Sequence, residues 1–435
     1  MRWLVVTIAL ILVAVVLNLG LLAYAMYALL GVIVLSRTLA DRWSAELTAT
    51  RSINREQVKI GDSVAVVTVI ENRGWLPIPW LLLEDLLPRK SLVHNPPNLQ
   101  ITGRRLQLVS FRGRGRKTIS YQLKCNCRGY YQLGPLVAET GDVFGLYRRY
   151  RVLSEPSFVL VYPDVVPLAG FDIASRRPIG EVRMSHRLFE DPTRIAGVRG
   201  YQSGDPFNRI HWRATARTGV LHSKIYEPST VAGATILLDF HQQSFAAADE
   251  PVRSELAVTA AASLAGALSQ MGQQVGLITN GRDAAERIRR EGWSHEQVRT
   301  RRQAQAAGDE QENHRLRPVI VATRRSNIQL RQILETLARV EKSAGLPLAQ
   351  LIHESASRMP HSATVIALLT SVTTEAAIAL GNLRRRGMAV TAIVNVYDEY
   401  DFARVAGPLV AERIEVRQLR DRAGIARMCQ KLMLR

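Results

Sequence analysis

The N-terminal segment constrains this chain most. From Trp3 to Leu35 there is no charged residue. As one helix that run would be about 50 Å long, at ~1.5 Å per residue, against a hydrocarbon core of about 30 Å. Three arrangements accommodate it. One is a hairpin of two short helices over residues 3–17 and 21–35, turning at Asn18-Leu19-Gly20, where Asn and Gly suit a turn. The second is one steeply tilted helix. The third is a signal peptide cleaved after Ala23-Tyr24-Ala25, against which stands the apolar sequence that continues past the triplet. Arg2 precedes the run, and Arg37 and Arg42 follow it. Basic flanks favour the cytoplasmic side, and only a hairpin puts both there. The expectation is a transmembrane helical hairpin over residues 1–40, in a multi-pass cell-membrane protein whose body faces the cytoplasm.

The rest of the 435 residues suffices for two or three domains with cores of their own. Lys and Arg number 57 against 38 Asp and Glu, a net charge of +19, which attracts anionic partners. The run Arg104-Arg105 through Arg112, Arg114, Arg116 and Lys117 is basic enough for phosphate contacts. On a domain tethered beside a bilayer, anionic lipid accounts for that charge more simply, at about 1 kcal/mol per basic residue. The expected partner is therefore a membrane surface and not nucleic acid. Cys125, Cys127 and Cys429 form no disulfide framework, and two thiols two residues apart without a second Cys or His pair make a poor zinc site. Packing is the reading for them.

Residues 43–163 carry short β-branched and alternating runs, such as SVAVVTVI at 63–70 and Ile119, Tyr121 and Leu123 on one face, punctuated by Gly and Pro. The expectation is an all-β, immunoglobulin-like sandwich. Residues 164–195 are polar and basic, a connector. From residue 235 apolar strands (TILLDF, VGLITN, TVIALLT, VTAIVNV) alternate with helical stretches over 255–271, 329–341, 348–357, 375–386 and 421–434. This is the pattern of an α/β doubly wound parallel sheet, over residues 196–435. Residues 283–318 are charged and read as a solvated insertion.

The most unusual stretch is GVRGYQSGDPFNRIHWRATARTGVLHSKIYE at 197–227, where charged residues sit among aromatics and aliphatics. Asp205 is within reach of Arg209 or Arg217 as an ion-pair partner. The stretch resembles the signature of the domain of unknown function 58 family, Y-x-x-G-D-x-x-R-x-I-x-W-x-x-x-A-R-x-G-x-L-x-x-K-x-x-E. Tyr201, Gly204, Asp205, Arg209, Ile210, Trp212, Ala216, Arg217, Gly219, Leu221, Lys224 and Glu227 meet it, with one extra residue between Asp205 and Arg209 and one fewer between Arg209 and Ile210. Arg128-Gly129-Tyr130, Gly134-Pro135, Asp142-Val143-Phe144-Gly145-Leu146 and Val161-Tyr162-Pro163 also fit. The resemblance implies a membrane hairpin, a β-sandwich and a C-terminal von Willebrand factor type A-like domain. It also implies a genomic neighbourhood of MoxR-type AAA+ ATPases and transglutaminase-like membrane proteins, and no established reaction.

Type A domains often bind Mg²⁺ through D-x-S-x-S after the first strand, with hard oxygen ligands. Here that strand ends at Asp239, and the next two motif positions are His241 and Gln243, with Ser244 out of register. Ser371-Val372-Thr373-Thr374 supplies no acid. The site is degenerate, and neither a metal nor another cofactor is expected. Asp205, His211 and Ser203 or Ser223 supply the residue types of a triad, but no nucleophile elbow is present. The expected function is a non-enzymatic, membrane-anchored interaction protein. It would work through Tyr201, Gly204, Asp205, Arg209, His211, Trp212, Arg217, Lys224 and Glu227 and through the C-terminal edge of the sheet, with the MoxR-type ATPase that the resemblance implies as partner. The alternative is an enzyme or enzyme subunit in cell-envelope or peptide processing that uses the Asp205–Arg217 segment.

Overall fold

A computed structural model describes all residues except 1, 18, 89–90, 93–96, 169–189, 203–209, 229–232, 292–316, 361–362 and 429–435. Most of the 164–195 connector and of the 283–318 insertion, and Cys429, lie outside the described residues. The chain divides into two compact units. The first comprises Met1–Asp164, Gly281–Arg315 and Leu334–Ser343, and the second Val165–Asn280, Leu316–Ile333 and Ala344–Arg435. The second unit is therefore not one unbroken stretch over 196–435.

The first unit opens with two apolar helices packed on each other, α1 (Arg2–Val16) and α2 (Gly20–Ala45). By length and composition α2 is long and apolar enough to cross a membrane, and α1 is shorter. The second helix does not stop near Leu35 but continues to Ala45. Neither Gly nor Pro interrupts residues 32–45, and charge alone does not break a helix. The extension is held by packing. Trp43 is buried with Leu47, Ile70, Ile78, Leu81 and Phe111 of the β-rich body. Asp41 is ion-paired with Arg149. The Arg151 guanidinium donates to the carbonyl oxygens of Ser44 and Ala45, both at 2.6 Å, and supplies positive charge at the helix C-terminus.

Among the described residues that body contains three sheets of three or four strands. One has the order β1 (Leu47–Ile53), β3 (Ser63–Asn72), β7 (Arg116–Cys125), β5 (Leu99–Gly103). A second has β10 (Arg148–Ser154), β9 (Leu136–Gly141), β4 (Ile78–Asp85), β6 (Leu106–Phe111). The third has β2 (Gln57–Lys59), β11 (Ser157–Tyr162), β8 (Gly129–Leu133). Alternation drives the first: Val64, Val66 and Ile70 of β3 turn inward with Ile119, Tyr121, Leu123 and Cys125 of β7. Burial and the nearby Asp62 charge push the Cys125 thiol up to about 11, so it is inert packing. Two short strands, β16 (Arg282–Asp283) and β18 (Val340–Glu341), pair ahead of α5 (Ala284–Glu291) in this unit.

The second unit is built on a six-stranded sheet of order β17 (Val319–Arg324), β15 (Gln274–Thr279), β14 (Gly233–Leu238), β19 (Ala363–Leu369), β20 (Val390–Val394), β21 (Glu415–Gln418). Counted along the chain this is 3-2-1-4-5-6, a doubly wound order. Five strands are parallel. The edge strand β17 is antiparallel to β15, a departure from the all-parallel expectation. Antiparallel edges on parallel sheets are common, because an edge strand needs no crossover helix. Among the described residues the helices that follow β14 are α4 (Val252–Gln270), α6 (Gln329–Arg339, whose last turns group with the first unit), α7 (Leu348–Ser355), α8 (Thr374–Arg385), α9 (Glu399–Ala411) and α10 (Arg422–Arg427). The Ala-rich α4 has high intrinsic helix propensity, and Leu256, Ala260, Leu264 and Leu268 form its buried stripe. Leu237, Ile278, Val365, Leu369, Leu380 and Leu409 are part of a common core.

Candidate functional site

Two places hold the residues singled out in the sequence. The first is an antiparallel pair, β12 (Glu190–Gly200) and β13 (His222–Pro228), with a short helix, α3 (Trp212–Thr218), between them. Ile210 is buried and forms an isolated bridge with Ser223. This fixes the next residue: the His211 backbone N–H donates to the His222 carbonyl at 2.8 Å. His211 Nδ1 then accepts from Ala214 N at 3.0 Å, so the imidazole caps α3. Gly219 ends the helix with φ +70, the left-handed conformation glycine tolerates, and its N–H donates to Thr215 O at 2.9 Å. The His222 N–H donates to Thr215 Oγ1 at 3.1 Å. Tyr201 N donates to Leu221 O at 2.9 Å, Lys224 is in register with Val198, and Glu227 sits on β13. Trp212 and Arg217 stand on α3, with Trp212 largely exposed. Gly204, Asp205 and Arg209 lie outside the described residues.

The second place is the C-terminal edge of the parallel sheet. Strand order reverses there between β14 and β19, the position where open α/β sheets carry their sites. Asp239 directly follows β14 and is buried. Both its oxygens are occupied. Oδ1 accepts from Asn280 Nδ2 at 2.8 Å and from the His241 N–H at 3.2 Å, and Oδ2 accepts from Ser244 Oγ at 2.6 Å. Burial raises the carboxyl above its ordinary value of 3.8, opposed by the Ser244, Asn280 and His241 hydrogen bonds. His241 Nδ1 accepts from Gln243 N at 3.3 Å and opens the 3-10 turn Gln242–Ser244, which swings Ser244 back onto Asp239. Asn280 completes the lock, accepting from Phe240 N at 2.6 Å and donating to Leu346 O at 3.0 Å. Among the described residues no group of three His, Cys, Asp or Glu converges as metal ligands. A carboxylate already committed to three protein donors inside the fold offers little to a cation.

Farther along the same edge, Arg253 of α4 is buried and donates to Asn395 Oδ1 at 3.3 Å and to Arg420 O at 2.9 Å, while Asn395 Nδ2 donates back to Arg253 O at 2.8 Å. Two guanidinium groups lie over the Tyr397 ring, Arg420 at 4.8 Å and Arg253 at 5.7 Å from its centre. Tyr397 is still 62% exposed and its neighbour Tyr400 77%. The edge is thus rigid beneath and aromatic above. Sequence reasoning missed Asn280, Asn395, Arg253, Tyr397 and Tyr400. A signal was present for two of them: VGLITN and VTAIVN each end an apolar strand on an Asn, as TILLD ends on Asp239.

Residues 197–349 match the family model described as protein of unknown function DUF58. An uncharacterized protein of Bacillus subtilis (strain 168), YeaD, is 26% identical over 60% of this chain, and the match spans 62% of that relative's length. Among solved structures, the CARDB domain of the PF1109 protein from Pyrococcus furiosus is similar at 15% identity and a TM-score of 0.18, over 26% of this chain and 91% of its own. The cupredoxin domain of amoB from Nitrosocaldus yellowstonii is similar at 8% identity and 0.18, over 28% and 89%. Scores this low carry no argument about fold or function.

Proposed function

This chain is a member of the DUF58 family of proteins of unknown function, and from that premise we propose that it is a membrane-anchored, non-enzymatic interaction protein that docks a protein partner on the C-terminal edge of its α/β sheet. The observation that carries the reading is the Tyr397 cluster: two exposed tyrosines and an arginine on a rigid support. Tyr and Arg are enriched among interface hot spots, and tyrosine gives large contact area at low entropic cost. The strand order 3-2-1-4-5-6 and the acid after the first strand support a von Willebrand type A-like domain, here with its metal position closed by hydrogen bonds. Sheet pairing with buried inner faces supports an immunoglobulin-like sandwich in the first unit.

In this reading α1 and α2 are the two arms of the membrane hairpin, the body faces the cytoplasm, and its positive charge rests against anionic lipid. A MoxR-type AAA+ ATPase is the proposed partner, by family analogy, in assembly or maturation of membrane or envelope complexes. The test is purification of the full chain in mild detergent from its own cells. Co-purification of the ATPase supports the reading. A chain that copurifies with no ATPase, or protease protection showing the body on the external face of oriented vesicles, contradicts it.

A further inference from the structure

The Asp142–Leu146 loop, between β9 and β10, has no part in the reading above. It is closed around its own acid. The Asp142 carboxylate accepts from the backbone N–H groups of Phe144 at 3.0 Å, Leu146 at 3.2 Å and Tyr147 at 2.6 Å, and Gly145 supplies the positive φ the turn needs. The strands on either side of the loop, β9 and β10, pack against α2, whose Ser36 is itself buried. With every polar contact turned inward, the loop's apolar side chains project outward: Val143 is 72% exposed, Phe144 68% and Leu146 43%. A rigid loop that presents a phenylalanine and two aliphatics to water lacks a soluble rationale.

Its position supplies one. Ser36 is the first residue after the charge-free run. From Gly20 to Leu35 the helix rises about 24 Å, which is less than the ~30 Å hydrocarbon core. Ser36 therefore stands at the near boundary of the bilayer rather than clear of it, and the loop joins the two strands, β9 and β10, that pack on this part of the chain and pair Arg149 with Asp41 one turn beyond. Arg37 and Arg148 flank that level; Arg148, paired with Glu139 at 3.5 Å, remains largely exposed. Basic side chains at this depth meet anionic headgroups. We propose that Val143, Phe144 and Leu146 form a foot that inserts into the bilayer interface beside α2, so that lipid holds the β-rich unit at a second point. This rests on α2 crossing a membrane.

The test uses the full chain in vesicles of phosphatidylcholine and phosphatidylglycerol, with Cys127→Ser and Cys429→Ser as background and an environment-sensitive fluorophore on Phe144→Cys, Val143→Cys, Leu29→Cys or Leu108→Cys. Leu29 reports α2, and Leu108, exposed on β6, sets the aqueous reference. The expected result at 144 and 143 is blue-shifted emission, loss of most of it to nitroxide-labelled lipid, and little loss to iodide. Quenching at 144 and 143 by iodide as strong as at 108 overturns the proposal, and so does shielding from both quenchers, which would mean that protein covers the loop. If Leu29 is lipid-quenched in either case, the foot alone fails. If Leu29 is not, the anchor fails with it.

Discussion

Asn280 donates from Nδ2 to Asp239 Oδ1 at 2.8 Å, tying together the ends of the neighbouring parallel strands β14 and β15, one strand away from where the sheet order reverses. The bond makes the position that resembles a metal site into a structural lock. An Asn at 239 could keep it, accepting through Oδ1 and donating from Nδ2 to Ser244. Asp239→Asn is therefore expected to stay within about 1 kcal/mol of the parent at pH 7, whereas Asp239→Ala, which strands buried donors, costs about 1–3 kcal/mol per unmet group. The carboxyl is raised, so the native state binds the proton more tightly than the unfolded chain. Stability of the parent relative to Asp239→Asn should rise as pH falls from the native value toward 3.8, and denaturant melts across that window check the sign.

Millimolar Mg²⁺ is expected to leave the Tm of the full chain unchanged, since a ligand that binds the native state raises it. A shift of several degrees, abolished by Asp239→Asn, would mean that the lock opens to a cation.

His211 caps α3 through Nδ1, and asparagine is a good N-cap. His211→Asn should retain both stability and partner binding, and His211→Ala should lose about 1 kcal/mol of local stability. A substrate turned over by the parent and by neither variant, with both folded, would favour a catalytic histidine.

For Asp142, burial pushes the carboxyl up, but the N–H groups of Tyr147, Leu146 and Phe144 and the Ser36 hydroxyl outweigh it and hold the group below 3.8. A lowered value stabilises fully above the unfolded value and is lost as pH falls through the native one. The stability gap between parent and Asp142→Asn, about 1–3 kcal/mol at pH 7 for charge-assisted bonds, should close below pH ~4. Unfolding curves at a series of pH values measure it.

What was legible in the sequence had a single cause behind it. The strands TILLDF, VGLITN, TVIALLT and VTAIVNV were readable because burial on both faces leaves only apolar residues. The edge strand Glu415–Gln418 was not, because a half-exposed strand keeps charged residues, and the β12–β13 pair was hidden by the Arg194, Arg199, Lys224 and Glu227 in its sequence. Helix α9 carries Pro408 and a mixed pattern, which hides its period. Hydropathy ended α2 at its first charge, while Trp43 and Asp41 continued it through tertiary contacts no local pattern contains. Ser244 falls out of register with the D-x-S-x-S spacing, and the 3-10 turn that returns it to Asp239 is a matter of backbone geometry that spacing does not contain.

The docking edge is tested most directly by partner affinity. With the full chain in lipid nanodiscs and the co-purified partner in solution, Tyr397→Ala/Tyr400→Ala should weaken binding at least about tenfold, the equivalent of 1.4 kcal/mol, with an unchanged melting curve. Unchanged affinity in a folded double variant would contradict the account.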